Sequence, residues 1–87
     1  MAELNVSIVS ADREVWTGQA KLVVATTVEG EIGILAGHEP LLAILGDGEV
    51  RITTADDNVM VVNAEGGFLS VNRNAVEVVA GQASLVS

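Results

Sequence analysis

The stretch Gly30-Glu31-Ile32-Gly33-Ile34-Leu35-Ala36-Gly37-His38-Glu39-Pro40 sets three glycines, the only histidine and the only proline of the chain around a short aliphatic run. Glycine reaches backbone angles that other residues avoid, and proline, which has no N–H to donate, is excluded from the interior of a sheet. The segment therefore reads as a shaped turn, a short strand over Ile32-Gly33-Ile34-Leu35 and a second shaped turn. This is β architecture, and the chain on both sides of it reads the same way.

Upstream, Leu4, Val6 and Ile8 alternate with Asn5 and Ser7, the period of a strand with one wet face. Asp12-Arg13 breaks that strand, Glu14-Val15-Trp16 resumes before Gly18, and a longer β-rich run from Gln19 to Val28 ends at Glu29-Gly30. Downstream, Leu41 to Leu45 is apolar without alternation, a pattern shared by a buried strand and a single helical turn. Val50 and Ile52 alternate with polar neighbours, and Asp56-Asp57-Asn58 reads as a hairpin turn into Val59 to Asn63. Gly66-Gly67 opens a further strand, Asn72-Arg73-Asn74 turns it into Ala75 to Ala80, and Gly81 permits one more break before Ser84-Leu85-Val86. About nine or ten short strands with turn signals every 8 to 12 residues, and no helical pattern, predict an antiparallel sandwich or flattened barrel.

Eighty-seven residues are expected to form one domain over 1–87. At this size folding buries roughly 60–65% of the surface of the extended chain, so only a thin core is possible. Without cysteine there is no disulfide or thiolate metal site to reinforce it, and stability rests on the 49% of residues that are hydrophobic, nearly all aliphatic. One Trp and one Phe leave little surface for stacking bases or sugars. Twelve acidic against four basic residues, net charge −8, oppose docking on phosphate backbones or anionic lipid, so neither nucleic acid nor a lipid surface is an expected partner. The N-terminus lacks the basic and apolar blocks of a secretory signal, and no apolar run approaches the roughly 20 residues of a membrane span. A cytoplasmic protein that reaches a membrane only through a partner is expected.

Few residues suggest chemistry. His38 and Glu39 invite an acid–base reading, but neighbours on an extended strand point to opposite faces, and no second histidine exists to complete a zinc site. Asp47 and Asp56-Asp57-Asn58 lack the alternating ligands and late glutamate of a calcium loop, and turn formation explains the latter group. Gly30, Gly33 and Gly37 precede neither a lysine nor a helix, so they do not form a phosphate cradle. No catalytic residue, metal or cofactor is expected. The acids Glu29, Glu31, Glu39, Asp47 and Glu49 are either a solvated surface or a rim that meets a basic partner.

The glycine-rich segment, continued through Gly37-His38-Glu39-Pro40-Leu41-Leu42, resembles the hallmark of the N-terminal β-sandwich domain of the F-type ATP synthase epsilon subunit family. Ile8 to Asp12 with Trp16-Thr17-Gly18 resembles its opening strands, and Gly66 to Val71 with Asn74 to Ala80 its closing hairpin. The resemblance runs in order along essentially the whole chain. It implies two five-stranded sheets and a non-catalytic subunit of the central stalk, or rotor, that links the gamma subunit to the membrane c-ring and so couples proton flow to ATP synthesis. Carried over by position, it implies that Glu31 meets the polar cytoplasmic loops of the c-ring, and that Ser10, His38 and Ala43 lie at or near gamma.

Members of that family commonly continue into two C-terminal helices that sense ATP and block reverse rotation. This chain stops at Ser87 without them, as a natural short form or an isolated domain would, so the resemblance assigns it neither an inhibitory nor a nucleotide-binding role, and the isolated chain is expected to be monomeric or weakly self-associating. The alternative from the residues is a biotinyl or lipoyl carrier domain, which is equally small, acidic and aliphatic. Its modified lysine sits on an exposed hairpin, whereas Lys21, the one lysine here, stands between Ala20 and Leu22 in a strand-like run. A small hydrolase built on His38 and a nearby carboxylate is the third possibility.

Overall fold

The alternation that begins at Leu4 becomes strand β1 (Leu4–Ser10), with Leu4, Val6 and Ile8 buried and Asn5 exposed. A computed structural model describes residues 3–37 and 39–86, and its remaining elements are all strands. They are β2 (Glu14–Thr27), β3 (Gly30–Leu35), β4 (Leu41–Thr54), β5 (Val59–Glu65), β6 (Phe68–Asn72), β7 (Ala75–Ala80) and β8 (Gln82–Leu85). The all-β expectation holds. The run Leu41 to Leu45, open between strand and helical turn, is the first arm of a strand.

Eight strands produce two five-stranded layers because β2 and β4, 14 residues each, serve both. Residues 14–20 of β2 pair with β1, and residues 22–27 pair with β3 on one side and β4 on the other. Residues 41–44 of β4 pair with β6, while residues 48–53 pair with β5. One layer is therefore β2-β1-β7-β6-β4 and the other β3-β2-β4-β5-β8, joined where the long strands cross over. Register irregularities in the β2–β4 pairing at Ala20/Leu22 and Ala25/Thr27 mark the bends, as bulges do where a sheet turns a corner.

Two sequence expectations are corrected. Gly18, expected to end a short strand, falls inside a long one, as do Gly46 and Gly48. At 46 and 48 the neighbouring strand is close: a Cβ on Gly46 would lie 3.2 Å from the Thr27 carbonyl oxygen, and one on Gly48 3.1 Å from Thr26 Oγ1. Glycine there lets two backbones approach and does not end a strand. The sheet is also not wholly antiparallel, since β1 and β7 run parallel from Asn5↔Ala75 to Ser10↔Ala80. The chain between them forms the long crossover that a parallel pair requires.

The core lies between the layers and draws buried aliphatic residues from every strand except β8, including Ile8, Val23, Ile34, Ile52, Leu69 and Val78. No polar or charged residue is buried among the described residues. Close-packed aliphatic interiors resist deformation, so the two layers behave as one stiff body.

The opening segment falls where it was expected. Gly30 (φ 121°) turns the chain from β2 into β3, Ile34 is fully buried, and Gly37 (φ 83°) turns it out again. The Gly37 N–H donates to Asn74 Oδ1 at 2.8 Å, tying this turn to the β6–β7 turn.

Candidate functional site

The end of the molecule at the β2–β3 turn is built by threonine side chains. Thr27 Oγ1 donates to the Gly30 carbonyl (2.7 Å) and accepts from the Glu29 N–H (3.2 Å), while Thr26 Oγ1 donates to the Glu49 carbonyl (3.2 Å). These bonds hold Glu29, Glu31 and the bulged residues 46–49 of β4 on one rim. Glu31 is opposite Thr26 in the β2–β3 ladder and points away from the core. Arg51 Nη2 lies 3.2 Å from Glu49 Oε1 and compensates it, whereas Glu29, Glu31 and Asp47 have no cation partner among the described residues. An exposed carboxylate without an internal partner accepts charge-assisted hydrogen bonds from outside.

Ser10 ends β1. Its single O–H donates to Asp12 Oδ1 (2.9 Å), with the Arg13 carbonyl as a second acceptor within reach (3.3 Å), fixing the β1–β2 corner. That corner forms one wall of an open polar groove of about 520 Å³, whose other wall carries Glu65, Gln82 and Ser84. Ala43 is half-buried, opposite Leu69, and lines a second groove of about 260 Å³ with Val28, Ile32, Leu42 and Ile44. The structure thus places Ser10 and Ala43 in separate grooves, with Glu31 on the neighbouring layer. His38 lies outside the described residues.

Between Ser10 and Ala43 runs a feature the sequence reading missed. Val9, Val79, Phe68 and Ile44 are consecutive partners across β1, β7, β6 and β4, all on the outward side of their layer. Ile44 is 64% exposed and Leu42 71%. The Val28 N–H donates to the Ile44 carbonyl (3.0 Å), extending the apolar row to the β2–β3 turn. The signal for it was present: a run such as Leu41 to Leu45, apolar on both faces, needs cover on both faces.

Lys21 lies within β2 rather than in a hairpin turn, and pairs with the Asp57 carboxylate at the β4–β5 turn. Asp56, Asp57 and Asn58 form that turn, with Asp57 at φ 67° and the Thr54 N–H donating to the Asn58 carbonyl (2.8 Å). Among the described residues no group of His, Cys, Asp and Glu converges as metal ligands.

Comparison with known proteins agrees with this fold. The ATP synthase epsilon chain of Micrococcus luteus is 54% identical over 85 residues, covering 98% of this chain and 93% of that one. The epsilon chain of Streptomyces coelicolor is 49% identical over 84 residues, 97% of this chain and 68% of its own. Among solved structures, a chain of the Euglena gracilis mitochondrial ATP synthase superposes with a TM-score of 0.91 at 24% identity, covering 98% of this chain and 54% of that chain. A chain of the Tetrahymena thermophila mitochondrial ATP synthase gives 0.77 at 17% identity, covering 94% and 66%. Residues 3–86 match the β-sandwich domain of the ATP synthase delta/epsilon chain, and the chain belongs to that family.

Proposed function

We propose that this chain is a non-catalytic central-stalk subunit of an F-type ATP synthase, set between the gamma subunit and the c-ring at the cytoplasmic face of the cell membrane. The observation that carries the reading is the 54% identity to an epsilon chain whose length it nearly spans. In this role the domain turns with ring and gamma, and proton flow reaches the catalytic subunits as torque. The stiff two-layer core suits that task, because little rotation is lost as strain. Nucleotide chemistry belongs to other subunits, and no cofactor is needed.

Glu31 meets the polar loops of the c-ring, its carboxylate accepting hydrogen bonds that none of the described residues of its own chain supplies. Ser10, His38 and Ala43 lie toward gamma. The isolated chain is monomeric or weakly self-associating. Purification with the cognate gamma subunit tests the reading: a stoichiometric complex is expected, and separate elution at micromolar concentration removes it.

A further inference from the structure

Resting on the gamma-binding reading above, we infer that Asn74 is a positioning residue for that contact: its side chain holds the segment 36–40 in the conformation that gamma meets. The segment carries the chain from β3, at the edge of one layer, to the first arm of β4, at the edge of the other, and it contains His38 and leads to Ala43. Ala36 is half-buried, and Gly37, Glu39 and Pro40 are exposed, so burial in the core does not fix its path. The Gly37 N–H, at a backbone turn of φ 83°, donates to Asn74 Oδ1 at 2.8 Å, and this bond reaches across 37 positions of the sequence.

The β6–β7 turn that carries Asn74 is itself held. Asn72 pairs with Ala75, leaving Arg73-Asn74 as a two-residue hairpin loop, and Arg73 stands at φ 58°, where glycine is usual. A residue with a side chain keeps such an angle only where its surroundings fix it. The Asn74 carbonyl accepts from the Asn5 N–H at 2.6 Å, which pins the turn near the start of β1. Asn74 thus joins three separate parts of the chain: β1, the β6–β7 turn and the segment 36–40. Its backbone anchors the turn to the sheet, and its side chain passes that anchorage to an exposed loop. Without the side-chain bond the loop samples other conformations, and apparent affinity for gamma falls in proportion to the fraction of chains that still hold the binding one. The loss appears in the association rate, since the contacts made once gamma is bound are unchanged, whereas removing a contact residue speeds dissociation.

Association and dissociation rates of the full chain with the cognate gamma subunit, measured beside hydrogen exchange at the Gly37 amide, provide the test. Asn74→Ala is expected to open that amide to exchange and to slow association about fivefold, with dissociation within about twofold of the unaltered chain. Asn74→Asp keeps an acceptor at the same place and restores both protection and rate. Ile52→Val, a fully buried change in the other layer, lowers the melt and leaves association unchanged, which separates positioning from general stability. A Gly37 amide still protected in Asn74→Ala, unaltered association, equal slowing by Asn74→Asp or Ile52→Val, or a loss carried by faster dissociation overturns the inference and leaves the stalk reading standing. Failure of the unaltered chain to bind gamma overturns both.

Discussion

The indole of Trp16 lies across Gly18: a Cβ at position 18 would fall 2.5 Å from Trp16 Cζ2 and 2.8 Å from Cη2. The two residues are on the same face of β2, and the absent side chain gives the ring its seat against the core. Gly18→Ala therefore displaces the indole or bends the strand, with an expected cost of about 1–3 kcal/mol. Because Trp16 is the only tryptophan, its fluorescence reports the displacement directly, and an unchanged emission spectrum with an unchanged melt would contradict this packing.

Gly67 is the most constrained backbone position. It holds φ 99°, and a Cβ there would stand 1.8 Å from the Val79 carbonyl oxygen. Gly67→Ala must part β6 from β7, and a loss of more than about 2 kcal/mol is expected in denaturant titration. Gly33→Ala is the matched control, since nothing lies within 4 Å of the added methyl and the backbone is ordinary strand. Its effect on stability is expected to stay within about 0.5 kcal/mol.

Ile34 anchors the opening segment and is completely buried. Ile34→Ala leaves a cavity and costs about 2–5 kcal/mol, a large share of the stability of a domain this size. A shift in the chemical-denaturation midpoint without a change in slope checks it.

Much of the fold was legible because strand periodicity is local. Leu4, Val6 and Ile8 announced β1, and Val50, Ile52 and Asp56-Asp57-Asn58 announced the β4–β5 hairpin. What failed was the reading of Gly18 as punctuation: it answers to the indole two residues before it on the same strand, while Gly46 and Gly48 answer to the β2 strand that lies against them. The parallel β1–β7 pairing depends on residues about seventy positions apart, which no local pattern encodes. At the site, Glu31 was legible as an exposed acid beside a turn. The separation of Ser10 and Ala43 into two grooves was not, since each groove is walled by strands distant in sequence.

The Lys21–Asp57 pair is exposed on both sides, and exposed pairs are worth about 0–1 kcal/mol. Lys21→Met is expected to change the melt by no more than that, and the difference shrinks further at high salt. Acylation of Lys21 in the intact mass of the natural protein would instead favour the carrier-domain alternative.

Glu31 carries the proposed link to the ring. Glu31→Lys alters an exposed side chain, so stability should stay within about 0.5 kcal/mol while ATP-driven proton pumping in reconstituted membranes falls. Unchanged pumping would remove Glu31 from the interface, and a core-sized loss of stability would mean that its side chain packs inward.

The central claim is that this domain transmits rotation between gamma and the c-ring. It is tested most directly by adding the purified chain to cognate ATP synthase membranes stripped of epsilon and measuring ATP-driven proton pumping. The account predicts that pumping returns in proportion to the chain bound. Stoichiometric binding with no recovery of pumping would contradict it.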